Sequence, residues 1–270
     1  MKDWSGFWRS HEYDPLLNYY DPLNWSDICW KVNLDLYFDL IKERTNGKEI
    51  LECGSGSGIF SRYMSKHGYV CTLIDNSIDA LNLSKIKFEE SQHKASFIKS
   101  DINNLPFKDN SFDIIFSGGV IEYFSNVENI THEMVRVLKP SGVIIAAMVP
   151  RKFSIQSIAD VQRFIVFIIY RIFNYKKKIS FNSSIPKNYK LNKLKIKEYV
   201  NIFKNTNELI NVVGYVITPF PNLSLPKKLY FYYIKFLKKS IPFWNKFNKK
   251  TTLLNKIIGI SYLVIGSKKI

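Results

Sequence analysis

Cysteine, long apolar runs and, in one half, acidic charge are what this 270-residue chain has least of. Its three cysteines, Cys29, Cys53 and Cys71, form no CxxC pair and no Cys/His cluster of zinc spacing. That excludes a disulfide framework and a structural zinc site, and no metal is expected. No apolar run exceeds seven residues, the length of Phe164 to Tyr170 between Arg163 and Arg171. A bilayer span requires about 20. The opening MKDWSGFWRSHEYD lacks the apolar stretch of a signal peptide, so a reduced, cytoplasmic setting is expected. There are no internal repeats. Beyond Pro150 the acids shrink to Asp160, Glu198 and Glu208 against 24 Lys+Arg, a net of +21, whereas residues 1–150 carry 15 Lys+Arg and 20 Asp+Glu, a net of −5. The chain is two electrostatic objects joined near Pro150.

What is present suffices for a core: 46% of residues are hydrophobic and 15% aromatic, which rules out wholesale disorder. Residues 1–47 are rich in aromatics, and Ile28, Val32, Leu36 and Leu40 recur every four positions, predicting a helix from Trp25 to Ile41 with one buried stripe. From 48 to 150 strands and helices alternate. Strands are predicted at Lys48–Cys53, Tyr69–Ile74, Ala95–Lys99, Phe112–Ser117 and Val143–Met148, and helices at Ile59–His67, Ile78–Glu90 and Glu128–Leu138. This is the spacing of βαβ units building a parallel sheet with helices on both faces. Residues 151–208 read as a basic helical insertion, apolar nearly all round over Ile155–Phe173, with a short helix at Lys197–Phe203. In residues 209–270, strands at Leu209–Thr218 and Ile260–Ser267 flank a basic, aromatic excursion from Leu225 to Phe247 with breaks at Pro226 and Pro242.

Five features carry chemistry. Gly54-Ser55-Gly56-Ser57-Gly58, between a strand and a helix, lets a ligand approach the backbone because no Cβ intervenes. A dinucleotide fingerprint starting at Gly54 would need glycine where Ile59 stands; starting at Gly56, its third glycine falls on Ser61. Asp75, at a strand end, can accept both hydrogen bonds of a ribose diol, or be an Asp-Asn turn. Asp101-Ile102 suits an adenine amino group and ring, or again a turn. Phe112 to Gly119 is a strand opening into small residues, and Leu138-Lys139-Pro140-Ser141-Gly142 is a helix stop before the fifth strand.

The series ILECGSGSG, LIDNS, KSDINNLPFKDNSFDIIFSGGVIEYF and EMVRVLKPSGVIIAAMVP resembles the class I S-adenosylmethionine (AdoMet)-dependent methyltransferases, in particular their small-molecule, ubiquinone-type (methyltransferase type 11) branch. It covers roughly residues 48–150, and Gly259 to Lys268 resembles the family's seventh strand. The resemblance implies an α/β fold: a Rossmann-like, mostly parallel seven-stranded sheet, last strand antiparallel, helices on both faces and an inserted helical lid. It implies AdoMet as cofactor, with Glu52 ordering the glycine loop and reaching the methionine amino group. Gly54, Gly56 and Gly58 would lie under the methionyl part, Asp75 on the ribose, Asn76 beside the adenine, Asp101 and Ile102 on the adenine, and Ser117 near the sulfonium. Some quinone O-methyltransferases hold a metal after strand four with acids and a His; here Gly119, Glu122 and Tyr123 stand there, so the first acid and the His are missing.

For proton removal the candidates are His11, in the amino-terminal segment that in this family folds over the cofactor, and Tyr123. His67, His93 and His132 read as surface or capping residues. On a helical wheel Lys228, Lys235 and Lys239 oppose Leu229, Tyr233, Phe236 and Leu237, an amphipathic basic helix. It either packs on its own domain or meets an anionic membrane surface or nucleic acid. The expected function is methyl transfer to a small-molecule or lipid-linked acceptor, on oxygen, in the cytoplasm or peripherally at the inner membrane face. Alternatives are a nucleic-acid methyltransferase tracking phosphates with the +21 half, and a non-catalytic AdoMet-binding protein. The first alternative ranks lower, because no Asn/Asp-Pro-Pro-aromatic motif follows strand four.

Overall fold

A computed structural model describes residues 8, 13–149, 155–173, 191–217, 221–250, 252, 256–257 and 259–270. Seven strands, β1 (Glu49–Cys53), β2 (Val70–Asp75), β3 (Ser96–Lys99), β4 (Phe112–Gly118), β5 (Leu138–Met148), β6 (Leu209–Ile217) and β7 (Ser261–Lys268), form one sheet in the order β3-β2-β1-β4-β5-β7-β6. β1 to β5 pair in parallel; β7 runs antiparallel to both β5 and β6. The expected topology, with its reversed last strand, is thus observed. Around it lie α1 (Trp25–Lys42), α2 (Ile59–Ser65), α3 (Ile78–Glu90), α4 (Val127–Val137), α5 (Ile155–Phe173), α6 (Ile196–Asn205) and α7 (Lys227–Asn248).

Both faces of the sheet are covered because neighbouring strand residues point to opposite sides and both are apolar. Ile50, Ile114, Val143 and Ile145 pack with α1 and α2, and with Phe88 of α3, on one face. Leu51, Ile115, Ile144 and Ala146 pack with α4 and α6 on the other. Tyr199 and Phe203 of α6 are fully buried there, so this part of the 151–208 stretch is a layer of the sheet's packing.

Three readings of the sequence change. Lys139-Pro140-Ser141-Gly142 does not precede the fifth strand but lies within it: Phe112 pairs with Leu138 and Ile114 with Val143 across an irregularity. Helix α1 buries two surfaces, not one stripe. Leu34, Leu36, Tyr37, Leu40 and Ile41 face the sheet, while Ile28 and Val32 meet Ile234, Leu237 and Ile241 of α7. Pro242 does not break α7, which continues to Asn248. Proline removes one ladder hydrogen bond, but Ile241 and Asn248 on either side of it are buried and Trp244 packs on the α1–α7 cluster, which holds the helix together. Pro242 itself is exposed. Pro242→Ala is therefore expected to stabilise the fold by about 1–3 kcal/mol, read as a higher denaturation midpoint with unchanged slope.

The amino-terminal residues are anchored by a buried ion pair. Asp14 accepts from both Arg62 Nη atoms, at 2.8 and 2.5 Å, with side chains only 3% and 4% exposed. Asp14 also accepts from Leu16 N–H at 3.0 Å, capping the short turn Pro15–Asn18.

Candidate cofactor and acceptor site

The strand order reverses between β1 and β4, and ligands of open α/β sheets bind outside the carboxyl ends of the strands at such a point. The residues singled out by the sequence converge there. β1 ends at Glu52-Cys53 and enters the glycine loop, whose Gly54 and Ser55 N–H groups both donate to Ile74 O of β2, at 2.8 and 3.0 Å. Gly54, Gly56 and Gly58 have φ of 71°, 53° and 67°, the left-handed region. At Gly56 a Cβ would also lie 2.5 Å from Cη2 of Trp8, so the indole rests directly on the loop backbone. Ser84 of α3 donates to Gly56 O at 2.7 Å and fixes the loop from the other side.

Glu52 is buried and accepts from Ser61 N–H, in the first turn of α2, at 3.1 Å. Helix α2 starts at Gly58, which has no side chain to cap it, so Glu52 supplies the missing acceptor. Burial pushes its pKa up to about 7 against that hydrogen bond, and the Asp75 charge adds to the rise. Asp75 accepts from Gly56 N–H at 3.0 Å through Oδ2 and from Ser77 N–H at 2.8 Å through Oδ1. Burial raises its pKa too. The next residue, Asn76, is exposed. The end of β3 is tied to β2 by Ser100 N–H donating to Asp75 O at 3.1 Å. Asp101 serves the turn that follows, its Oδ1 accepting from Asn103 N–H at 2.9 Å and Asn103 Nδ2 at 2.8 Å. Ile102 is buried in the cluster that also holds Ile74.

Ser117, near the end of β4, is fully buried, and its hydroxyl has no hydrogen-bond partner among the described residues. Beyond it Gly118 and Gly119 are exposed, and a Cβ at Gly119 would meet nothing within 4 Å. Tyr123 is half-buried in the short turn Ile121–Tyr123, while His11 falls outside the described residues. Among the described residues no three His, Cys, Asp or Glu side chains group as a metal site.

Two residues that sequence reasoning left out of the cofactor and catalytic sets sit here. Trp8 lies on Gly56; the density of aromatics in the first forty residues was the available signal. Glu122 is 2% exposed, at the carboxyl ends of β4 and β5. Its Oε1 accepts from Val149 N–H at 2.9 Å, and its Oε2 has no partner among the described residues. Burial pushes its pKa up to about 7. Asn192 clamps this turn: its N–H donates to Glu122 O at 2.7 Å, its Nδ2 to Phe124 O at 3.0 Å, and its Oδ1 accepts from Tyr199 OH at 2.7 Å. A carboxyl whose native pKa exceeds its unfolded value contributes stability that is complete below the unfolded pKa and lost as pH rises through the native one. Wild type is therefore expected to lose about 2–3 kcal/mol between pH ~4.5 and ~7 relative to Glu122→Gln, measured by urea unfolding across that range.

The groups present fit AdoMet. The buried carboxylate of Glu52 and the half-buried one of Asp75 suit its ammonium and ribose diol, and the unpartnered Ser55 and Ser117 hydroxyls can be satisfied by a polar ligand.

Comparison with known proteins agrees. Residues 51–146 match the family described as Methyltransferase domain. A malonyl-[acyl-carrier protein] O-methyltransferase of Pectobacterium atrosepticum is 32% identical over 100 residues, 37% of this chain and 38% of that protein. A phthiotriol/phenolphthiotriol dimycocerosates methyltransferase of Mycobacterium tuberculosis is 30% identical over 139 residues, 49% of each chain. The match thus spans between about two-fifths and one-half of these curated relatives. The crystal structure of a SAM-dependent methyltransferase of Thermotoga maritima shares the fold at a TM-score of 0.55 and 16% identity, covering 98% of this chain and 100% of that one. The fold is the Rossmann-like one of the class I methyltransferases. Residues 51–146 are thus similar to the methyltransferase domain of these relatives.

Proposed function

We propose that the protein methylates an oxygen of a small-molecule or lipid-linked acceptor. The observation that carries the cofactor half is the bracketing of a left-handed glycine loop by Glu52 and Asp75. AdoMet, when bound, supplies a methyl group on a sulfonium with a good leaving group, so the chain's task is chiefly alignment, worth up to about 7–11 kcal/mol. Glu52 holds the ammonium of the methionyl part and Gly54, Gly56 and Gly58 lie beneath it. Asp75 takes the ribose hydroxyls, Asn76, Asp101 and Ile102 the adenine, and Ser117 faces the reacting end. The exposed Gly118-Gly119 backbone leaves room for the acceptor. An acceptor carboxylate needs no base. An acceptor hydroxyl must give up its proton, and His11, Tyr123 and the buried Glu122 carboxylate are the groups proposed to receive it, a contribution of about 10²–10⁴-fold. The setting is cytoplasmic, with a lipid-linked acceptor met at the inner membrane face; no described helix is long and apolar enough to cross a membrane.

Oxygen and a lipid-linked acceptor are favoured by the activities of the relatives, an O-methyltransferase on an acyl carrier and a methyltransferase on dimycocerosates, and by the apolar and aromatic character of residues 153–173 and 229–247. Nucleic acid is the second reading, resting on the net of +21 beyond Pro150. The test is calorimetric titration with AdoMet, S-adenosylhomocysteine and NADH, then transfer of labelled methyl to fatty-acyl carboxylates, phenols and RNA. Micromolar binding of the first two ligands with transfer to an acyl or phenolic oxygen is the expected result; transfer to RNA alone would overturn it.

The Glu52 assignment has its own consequence. A carboxyl with a pKa of about 7 must lose its proton to pair with an ammonium, so AdoMet is expected to bind about tenfold more weakly near pH 5.5 than near pH 7. Glu52→Gln should bind weakly at both and lose the dependence.

A further inference from the structure

Helix α7 carries six lysines and no acid. Its inner side is spent on α1, through Ile234, Leu237 and Ile241 with Tyr230, Tyr233 and Trp244 around them. Of the apolar face expected from the sequence, Tyr233 and Leu237 do pack inward, but Leu229 and Phe236 do not. They join Tyr232 and Phe243 in a different row, exposed by 56, 63, 57 and 60% respectively. The spacing 229, 232, 236, 243 places these four on one side of the helix. Beside them, at 228, 235, 239 and 246, runs a row of exposed lysines. Among the described residues none of these four pairs with an acid; Lys238, by contrast, is bound to Asp21 at 2.5 Å. A second apolar surface adjoins the start of α7: Gln162 of α5 exchanges two hydrogen bonds with the Ser224 backbone, at 2.7 and 2.9 Å, and Val161, Phe164, Ile165 and Ile168 of α5 are exposed.

We propose that the Leu229–Tyr232–Phe236–Phe243 stripe and its lysine row dock the protein on an anionic phospholipid bilayer, with α7 lying in the interface plane. A row of large apolar side chains left in water needs a partner, and a parallel row of unpaired cations selects an anionic one. A second copy is a poor occupant, because symmetric pairing of this face would set lysine rows against each other. Nucleic acid would satisfy the lysines but leave Leu229 and the aliphatic α5 side chains unsatisfied. That the bilayer also delivers the acceptor rests on the lipid-linked reading above; the docking itself does not.

Vesicle flotation with phosphatidylglycerol–phosphatidylcholine and with pure phosphatidylcholine tests it, using the full chain. Wild type should bind the anionic vesicles, more weakly as salt rises, and leave the zwitterionic ones. Phe236→Ser/Phe243→Ser should bind at least about tenfold more weakly, and Lys228→Gln/Lys235→Gln/Lys239→Gln/Lys246→Gln at least about thirtyfold. All six positions are exposed, so both variants should keep the wild-type AdoMet affinity, which verifies their fold. Absence of wild-type binding, equal binding by both variants, tighter binding to an RNA oligonucleotide than to vesicles, or a wild-type dimer that Phe236→Ser/Phe243→Ser dissociates would each overturn the proposal. Vesicle binding without AdoMet binding would instead overturn the cofactor reading and leave the docking face intact.

Discussion

Asp14→Ala is expected to lower the unfolding free energy by about 3–5 kcal/mol, because it leaves the Arg62 guanidinium buried without its counter-charge. Arg62 is 3% exposed and sits in α2, directly after the glycine loop. Its other described hydrogen bond, to Lys87 O, is long at 3.3 Å and cannot replace a bidentate carboxylate. In thermal unfolding this corresponds to a midpoint about 10 °C lower. The double variant Asp14→Leu/Arg62→Met removes both charges and should be less destabilised than Asp14→Ala, since an apolar pair avoids the desolvation of two ions. Acid titration adds a check of sign. Burial pushes the Asp14 carboxyl up, but the Arg62 guanidinium outweighs it and holds the carboxyl below its ordinary range. The pair's stability is therefore present above the unfolded carboxylate pKa of about 4 and lost as pH falls below it. Asp14→Ala should lack that acid-sensitive component, and a variant that retained it would assign it to another carboxylate.

The second large effect is on the cofactor. Asp75→Ala is expected to weaken AdoMet binding at least about tenfold, measured by calorimetry at fixed pH and salt. Two losses combine. The ribose acceptor disappears, and so does the acceptor for Gly56 N–H and Ser77 N–H, which the same carboxylate holds. Asp75→Asn separates them: its single amide oxygen can keep one loop hydrogen bond but cannot also accept from a diol with full charge. An affinity between those of wild type and Asp75→Ala is the expected outcome. Unchanged affinity in Asp75→Ala would remove the proposed cofactor pose while leaving the fold assignment untouched.

The candidate cofactor residues were legible because they lie in short strand-to-loop transitions. Glu52, Gly54, Gly56, Gly58, Asp75 and Asp101 each follow an apolar strand signal by one or a few residues, so alternation of strands and turns places them at one edge of a parallel sheet. Trp8 and Glu122 did not stand out in the same way. Nothing local marks an aromatic that reaches a loop nearly fifty positions later, or a glutamate whose burial depends on Val149 N–H and on the segment around Asn192.

Helix α7 draws the line most clearly. From its own residues it is amphipathic and basic, and that much followed from 3.6-residue periodicity. Which apolar side chains meet the body of the protein and which face outward was decided by α1, whose Ile28 and Val32 accept Ile234, Leu237 and Ile241 and leave Leu229, Tyr232, Phe236 and Phe243 uncovered. Pro242 reads as a break in isolation and is carried through by buried neighbours on both sides. By itself the sequence determined the order and direction of the central strands, the glycine loop and its acids, and the charge asymmetry, because these depend on local periodicity and near-neighbour spacing. Only the tertiary structure decided which carboxylates are desolvated, where the amino-terminal segment is anchored and which helix face is left in solvent, because each depends on what distant segments bring into contact.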